Sequence, residues 1–305
     1  MSDWRLKILD QPADMDAVEE LQRSVWPASE TDVVPVHVLV AAVHNGGLLV
    51  GAFEKTPSRG QSEPLLGFVF GFPGVYSTPD GPRSKHYSHM LAVHPDHRDR
   101  GLGFALKRAQ WQMVRHQGFD RITWTFDPLV SRNAHLNIGK LGAVCSTYRR
   151  EFYGEMRDGL NAGLPSDRFD VDWWVNTKRV ERRLSRRARL RLDLAHYLAG
   201  GAEILNPSRR DEAGWPHPAG SVVLPSAPGE GAGQAANTPL ILIEIPADFQ
   251  GMKSADPALA LEWRLHARGL FETLFDAGYL VTDFVHLPGG QPRSFYVLSH
   301  GESTL

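Results

Sequence analysis

The stretch from Lys85 to Gly118 constrains the fold of this chain more than any other. Its first part, His86 to His94, alternates as a strand does and contains the buried-type run Met90-Leu91-Ala92-Val93. Its last part predicts an amphipathic helix, with Leu102, Ala105, Leu106, Ala109 and Met113 recurring at helical spacing. Between them stands Arg98-Asp99-Arg100-Gly101-Leu102-Gly103, a basic turn that runs straight into the helix. The first amides of a helix have no partner within it, and the helix dipole is positive there. A strand–turn–helix of this kind suits a phosphate or pyrophosphate.

Three phosphate-loop patterns are to be weighed. A dinucleotide fingerprint starting at Gly101 requires a small residue where Leu106 stands, and a P-loop requires a Gly-Lys-Ser/Thr that the chain lacks. The third pattern is Arg/Gln-x-x-Gly-x-Gly/Ala, matched by Arg98, Gly101 and Gly103 and preceded by Leu91-Ala92-Val93-His94-Pro95. With this strand before it and this helix behind it, the turn resembles that of the GNAT acyltransferases; an ordinary strand–turn–helix is the alternative.

Composition narrows the class. The chain has 305 residues, about twice an average domain. A formal net charge of −2 gives no global reason to expect nucleic acid or an anionic membrane as partner. The one cysteine, Cys145, excludes an internal disulfide and a cysteine metal cluster. The thirteen histidines are scattered, and His94-Pro95-Asp96-His97 lacks the pattern of a zinc site, so no metal is expected. The first 25 residues do not read as a signal peptide and no run of about 18 apolar residues occurs, which points to a cytoplasmic protein.

Taken in order, Trp4–Leu9 reads as a strand. A helix over Met15, Val18 and Leu21 follows, then a second from Val36 to Val43. Leu48–Phe53 and Leu65–Phe72 read as an antiparallel strand pair. After the opening stretch come a strand at Arg121–Asp127, a short helix at Ser131–Leu141 and strands at Ala143–Tyr148 and Asp167–Val175. This β-α-α-β-β-β-α-β-α-β order is similar to that of the GNAT fold, and the resemblance covers about residues 4–176. A second motif, Ser131-Arg132-Asn133-Ala134 through Lys140-Leu141-Gly142, resembles the family's "N-x-x-A-x-x-x-Y-x-x-x-G-F" helix. Ala134 and Gly142 match it, whereas Ser131, Ile138 and Ala143 replace the Asn, Tyr and Phe.

The expected fold is therefore α/β of the α+β type, a GNAT domain over 1–176 with a mixed, mostly antiparallel sheet. A basic helix and a Pro/Gly-rich linker would fill 177–239. A β-α-β-β subdomain over 240–305, too short to be comfortably independent, would pack on the first domain. Its elements are a strand at Leu240–Ile245, a long helix opened by Asp256-Pro257 and strands at Leu280–Leu287 and Ser294–Leu298. In this two-part form the chain resembles a less common bacterial branch of the family.

Acyl transfer to an amine needs a neutral amine, a stabilised oxyanion and a departing thiolate. The resemblance implies acetyl-CoA or another short acyl-CoA, succinyl-CoA included, as donor. Backbone amides of Arg100, Gly101, Leu102, Gly103 and Phe104 would hold the pyrophosphate, with charge from Arg98 or Arg100. Leu91, Ala92 and Val93 would receive the pantetheine arm, a strand amide there would face the oxyanion, and Ser131 and Asn133 would add contacts from the second motif. Strand parity sets His89 apart from His86, Ser88 and Met90. His89 is the first candidate base, against a hydrogen-bonded core or surface histidine. Asp127 is the second, against a turn cap. For the acid that Ile138 does not supply, the openings are Tyr153 or Tyr148, solvent, or no catalysis at all.

In the GNAT layout the loop 158–168 borders the acceptor, so Asn161, Asp167 and Arg168 are candidates for binding an amino-acid-like amine, against a merely structural loop. Arg264 and Arg268 could hold a carboxylate between them or form an exposed salt-bridged face. The run Lys178–Leu192 could sit on RNA, but a solvated helix is the better reading for an acidic chain lacking interleaved aromatics. The expected activity is GNAT-type N-acyl transfer, acetyl or succinyl, from CoA to a small-molecule primary amine, a free amino acid among them. No membrane or nucleic-acid partner is expected, and a homodimer is compatible. The competing class is a non-catalytic CoA-sensing or RNA-associated module on the same fold.

Overall fold

The computed structural model describes residues 4–27, 30–55, 63–156, 163–185, 191–222 and 240–300. It contains two compact units. The first comprises residues 1–124, 157–162 and 174–176, and the second comprises 125–156, 163–173 and 177–305. This division differs from the expected 1–176, 177–239 and 240–305.

In the first unit the elements are β1 (Trp4–Ile8), α1 (Pro12–Val25), α2 (Val36–His44), β2 (Leu48–Glu54), β3 (Leu65–Thr78), β4 (Gly81–Val93) and α3 (Leu102–His116), followed by β5 (Arg121–Phe126), whose last two residues fall in the second unit. The strands lie in chain order, antiparallel except for the parallel step from β4 to β5. The apolar side chains of α1 (Met15, Val18, Leu21 and Val25) cluster with Phe68, Phe70 and Ala92 of the sheet. Each such side chain contributes roughly 1.5–3 kcal/mol when removed from water.

Helix α3 buries Leu102, Leu106, Lys107, Gln110 and Val114, a stripe rotated from the expected one, since Ala105, Ala109 and Met113 are only partly covered. Strands β3 and β4 continue beyond the expected ends as a long hairpin, pairing out to Thr78 and Gly81. On this hairpin Tyr76 lies under the Arg121 guanidinium, 4.4 Å from its ring centroid, and Trp174 takes the same cation at 5.0 Å.

In the second unit come α4 (Ser131–Ala134), continued as wider π-helical turns over His135–Lys140, then β6 (Val144–Arg149) and β7 (Arg168–Trp174). After them follow α5 (Lys178–Leu184), α6 (Leu194–Ala199), the short strands β8 (Glu203–Ile204), β9 (Arg209–Arg210) and β10 (Pro216–His217), and β11 (Ile241–Ile245). The chain ends with α7 (Phe249–Ala255), α8 (Pro257–Asp276), β12 (Tyr279–Leu287) and β13 (Arg293–His300). The sheet of this unit runs β7-β6-β12-β13-β11-β8.

Its core explains why the carboxy-terminal β-α-β-β piece is not separate. Val281 of β12 pairs with Cys145 of β6. Phe169 of β7 meets Phe271 of α8 edge to face at 4.7 Å, and Phe271 meets Tyr296 of β13 at 5.4 Å. Such aromatic pairs contribute about 0.5–1.5 kcal/mol each beyond their buried area.

The described part of the basic run forms α5, which leaves Lys178 and Arg182 exposed but engages its other arginines internally. Arg179 donates to the carbonyls of Gly142 and Thr282, and Arg183 to the Gly139 carbonyl and the Asp283 carboxylate. Arg191 donates to the Phe284 carbonyl and also pairs with Asp283. Helix α5 is clamped onto β12 and the end of the α4 segment by its own arginines.

Candidate acyl-CoA site

After β4 the chain makes a short 3-10 turn (Pro95–His97) and reaches Gly101 at φ 83°, a left-handed conformation that directly precedes α3. A non-glycine residue is strained there, by about 1 kcal/mol or more. A Cβ built at Gly101 meets nothing within 4 Å, so the requirement comes from backbone conformation, and the space in front of the turn is open. The first intrahelical bond is Ala105 N–H to the Gly101 carbonyl, at 3.1 Å. The Leu102, Gly103 and Phe104 amides therefore precede the helix's own ladder, at its positive end.

Arg100 is exposed beside this turn. Arg98 instead turns back, its Nε donating to the Val93 carbonyl at 3.3 Å, and braces the end of β4. A cleft lined by Trp4, Glu54, Leu66, His97, Arg100 and Leu102 borders the turn.

The last three residues of β4 divide their peptide groups between two sides. His94 N–H donates to the Leu66 carbonyl, and antiparallel bonds alternate along a pair. Ala92, opposite Phe68, thus directs its peptide groups to β3, while Leu91 and Val93 direct theirs away from it. Of the three residues expected to receive a pantetheine arm, Leu91 and Val93 thus direct their peptide groups away from β3 and Ala92 directs its own toward it. On that other side β4 pairs with β5 at His86–Ile122 and Tyr87–Thr123, and among the described residues no pair follows. The two strands form a fork whose open arm on β4 begins at Ser88.

His89 occupies a β-bulge. Met90 stands opposite Phe70 and Ser88 opposite Gly71, which leaves His89 as the extra residue. The bulge also overturns the simple parity expectation, because Met90 packs with the α1 core cluster rather than with His86 and Ser88. The exposed His89 ring lies among Phe70, Phe72 and Tyr87, at centroid distances of 6.0, 5.8 and 6.2 Å. Partial burial among these rings lowers its pKa from the ordinary histidine value.

Beneath the bulge, on the α3 side, lies a buried polar group that sequence reasoning missed. Lys107 is 2% exposed, and its Nζ donates to Ser88 Oγ at 2.9 Å and Gln110 Oε1 at 2.8 Å. It also sits 3.8 Å above the Trp124 ring. The Gln110 amide reaches His86 Nε2 at 3.2 Å, which places the His86 proton on Nδ1. Gly71 makes room for this ring, since a Cβ there would stand 2.3 Å from His86 Nε2. Burial, then the nearby Lys107, pushes the His86 pKa down to about 3, and burial pulls Lys107 well below the ordinary lysine value.

The remaining candidates lie in the second unit, where most are engaged internally. Arg264 grips both carboxylate oxygens of Asp127, at 2.9 and 2.5 Å, and the Leu129 amide adds a cap at 2.9 Å. Asp167 is fully buried, held by Arg268 at 2.8 and 2.9 Å and by the Tyr148 hydroxyl at 2.8 Å. Arg264 and Arg268 thus hold one internal carboxylate each, where a shared ligand or an exposed face was expected. Arg168 is buried with its cation 5.4 Å from the Tyr153 ring centroid, and donates to the Asp167 carbonyl.

Asp167 and Arg168 are therefore both built into the interior of the unit, Asp167 because a buried carboxylate requires a cation and α8 brings one. Asn161 lies outside the described residues. Tyr148 is unsuited as an acid, since burial raises its pKa and its hydroxyl is committed to Asp167. Tyr153 is exposed and shares a 2.8 Å hydrogen bond with Thr125. Ser131 is buried against Ser294 at 2.7 Å, so it does not present its hydroxyl to a cofactor, whereas Asn133 is exposed. Ile138 is fully buried.

The first unit thus sets an open left-handed glycine turn at the head of a helix next to a strand edge left unpaired at a fork. Residues 15–137, about two-fifths of the chain, match the model of the acetyltransferase (GNAT) family, and the match supports an enzyme of the acyltransferase class. Solved structures similar to it include Arabidopsis thaliana NAA60 in complex with acetyl-CoA, at 16% identity and a TM-score of 0.45 over 56% of this chain and 99% of that one. The same protein with a bisubstrate analogue aligns at 17% identity and a TM-score of 0.44, over 57% and 99%. The ribosomal-protein-S18-alanine N-acetyltransferase from Escherichia coli aligns at 15% and 0.41, over 57% and 95%. No curated protein matches the chain in sequence.

Proposed function

We propose that this chain transfers a short acyl group from an acyl-CoA to a primary amine, with the donor held by the Gly101 turn and the open edge of β4. The observation that carries this reading is the left-handed Gly101 opening α3 immediately after a strand whose Leu91 and Val93 peptide groups face away from β3. Bound acyl-CoA would supply the activated acyl group. The Leu102, Gly103 and Phe104 amides, with Arg100, would hold its pyrophosphate. The Leu91 and Val93 peptide groups would hydrogen-bond the arm, and an amide of this edge would stabilise negative charge on the thioester oxygen.

His89 takes the proton from the attacking amine in this reading. Its lowered pKa keeps it neutral, and so able to accept, at physiological pH. Asp127, gripped by Arg264, serves the turn that it caps. Return of a proton to the thiolate falls to solvent; a thiol pKa of about 8.5 makes the thiolate a fair leaving group without a dedicated acid.

Acetyl is the favoured donor group. The arginines that argued for a succinyl carboxylate are engaged with Asp127, Asp167 and backbone carbonyls. For the acceptor, half-exposed Phe72 and Tyr87 beside His89 favour an amine with an apolar or aromatic body, and free amino acids of that kind are the first to test. The experiment follows free thiol release from acetyl-CoA and succinyl-CoA against a panel of amino acids and simple amines. Turnover with an aromatic or aliphatic amine supports the reading. CoA binding without turnover on any of them would favour the non-catalytic alternative.

A further inference from the structure

A fully buried lysine is costly unless something in the fold requires it there. Lys107 lies under the first positions past the last β4–β5 pair. That pair is Tyr87–Thr123, so continued pairing would next bring Ser88 beside Trp124. Lys107 Nζ contacts both, at 2.9 Å from Ser88 Oγ and 3.8 Å from the Trp124 ring centroid. One turn along the same helix, Gln110 receives hydrogen bonds from Lys107 and Ser88 and holds His86, the preceding β4 residue on that face.

Helix α3 is thereby fastened to β4 at two successive positions and to β5 at one, all at the crotch of the fork. A leucine or methionine would fill the volume but could not bond a hydroxyl, an amide and an aromatic face together.

We propose that Lys107 is a positioning residue that pins the β4–β5 fork at the separation an acyl-CoA arm needs, and through Ser88 fixes the neighbouring bulge that presents His89. This rests on the acyl-CoA reading above. The pin sits at the reacting end of the site, whereas the Gly101 turn at the other end holds pyrophosphate by its own backbone. The two ends are therefore separable by ligand: ADP tests the turn alone, and CoA tests the turn together with the fork.

The experiment titrates wild type, Lys107→Met and the milder Ser88→Ala with CoA and with ADP, and records thermal unfolding. The expected result for Lys107→Met is a loss of about tenfold in CoA affinity with ADP affinity unchanged within about twofold. Ser88→Ala should show a smaller loss of the same selectivity, and it decides the matter should Lys107→Met fail to fold. Equal loss for both ligands in step with a lowered melting temperature would show that Lys107 merely stabilises the unit, and would overturn the proposal. So would unchanged affinity for both. A wild-type protein that binds ADP but not CoA would sink the acyl-CoA reading itself, which is a different failure.

Discussion

His89 and Phe70 stand at the β4 bulge with ring centroids 6.0 Å apart and planes nearly perpendicular, at 80°. Partial burial lowers the basicity of the imidazole while the bulge turns it off the regular strand pattern. A base must be neutral to act, so activity depending on His89 is lost as pH falls through its pKa. That fall should lie below the ordinary imidazole value of about 6.5, with a flat profile through neutrality. A pH–rate profile of wild type checks this. His89→Ala should lower kcat by about 100-fold or more and remove the acidic limb; an unaltered profile would rule His89 out as the base.

The bulge was not legible in the sequence, since one extra residue in a strand leaves no mark in composition or periodicity. Periodicity located α3, α8, β12 and β13 closely because each is long and closed by clear chemistry, as Asp256-Pro257 opens α8. The outer β3–β4 hairpin extends past the strand ends expected at Phe72 and His86, across Pro73, Gly74 and Pro82, residue types that disfavour strand interiors. Lys107 was missed for a different reason. A lysine on an amphipathic helix is expected at the surface, and only tertiary contacts with Ser88 and Trp124 make its burial bearable. The partners of Arg264 and Arg268 lie 137 and 101 residues away, beyond what local spacing can reveal.

Arg264 is 1% exposed, and burial opposes its charge, yet Asp127 holds its pKa above the ordinary value. Arg264→Met leaves the largely covered Asp127 without its cation and should destabilise the protein by about 3 kcal/mol, measured by denaturant unfolding. Combining it with Asp127→Asn should cost clearly less than the sum of the two single changes.

Asp167 makes stability depend on acid. Burial pushes its carboxyl pKa up, but Arg268 together with the Glu151 amide and Tyr148 brings it below the ordinary value. Its contribution is fully present above an unfolded pKa of about 3.9 and is lost as pH falls through the lower folded value. Arg268→Met should flatten this part of the stability–pH curve and lower stability at neutral pH.

Ile138 stands where the resembling motif has tyrosine, and its side chain is fully buried. Ile138→Tyr should therefore destabilise by about 1–3 kcal/mol through overpacking, without raising kcat. A gain in kcat would show that a tyrosine there can reach the departing thiol.

Everything proposed for this site depends on the turn ending at Gly101 holding the pyrophosphate of CoA. Calorimetric titration of CoA into wild type and Gly101→Glu tests it most directly. The substitution forces a side chain onto a φ of 83° and sets a carboxylate before the helix amides. The expected result is a loss of about 100-fold or more in affinity with the fold retained by circular dichroism. Unchanged affinity would contradict the assignment.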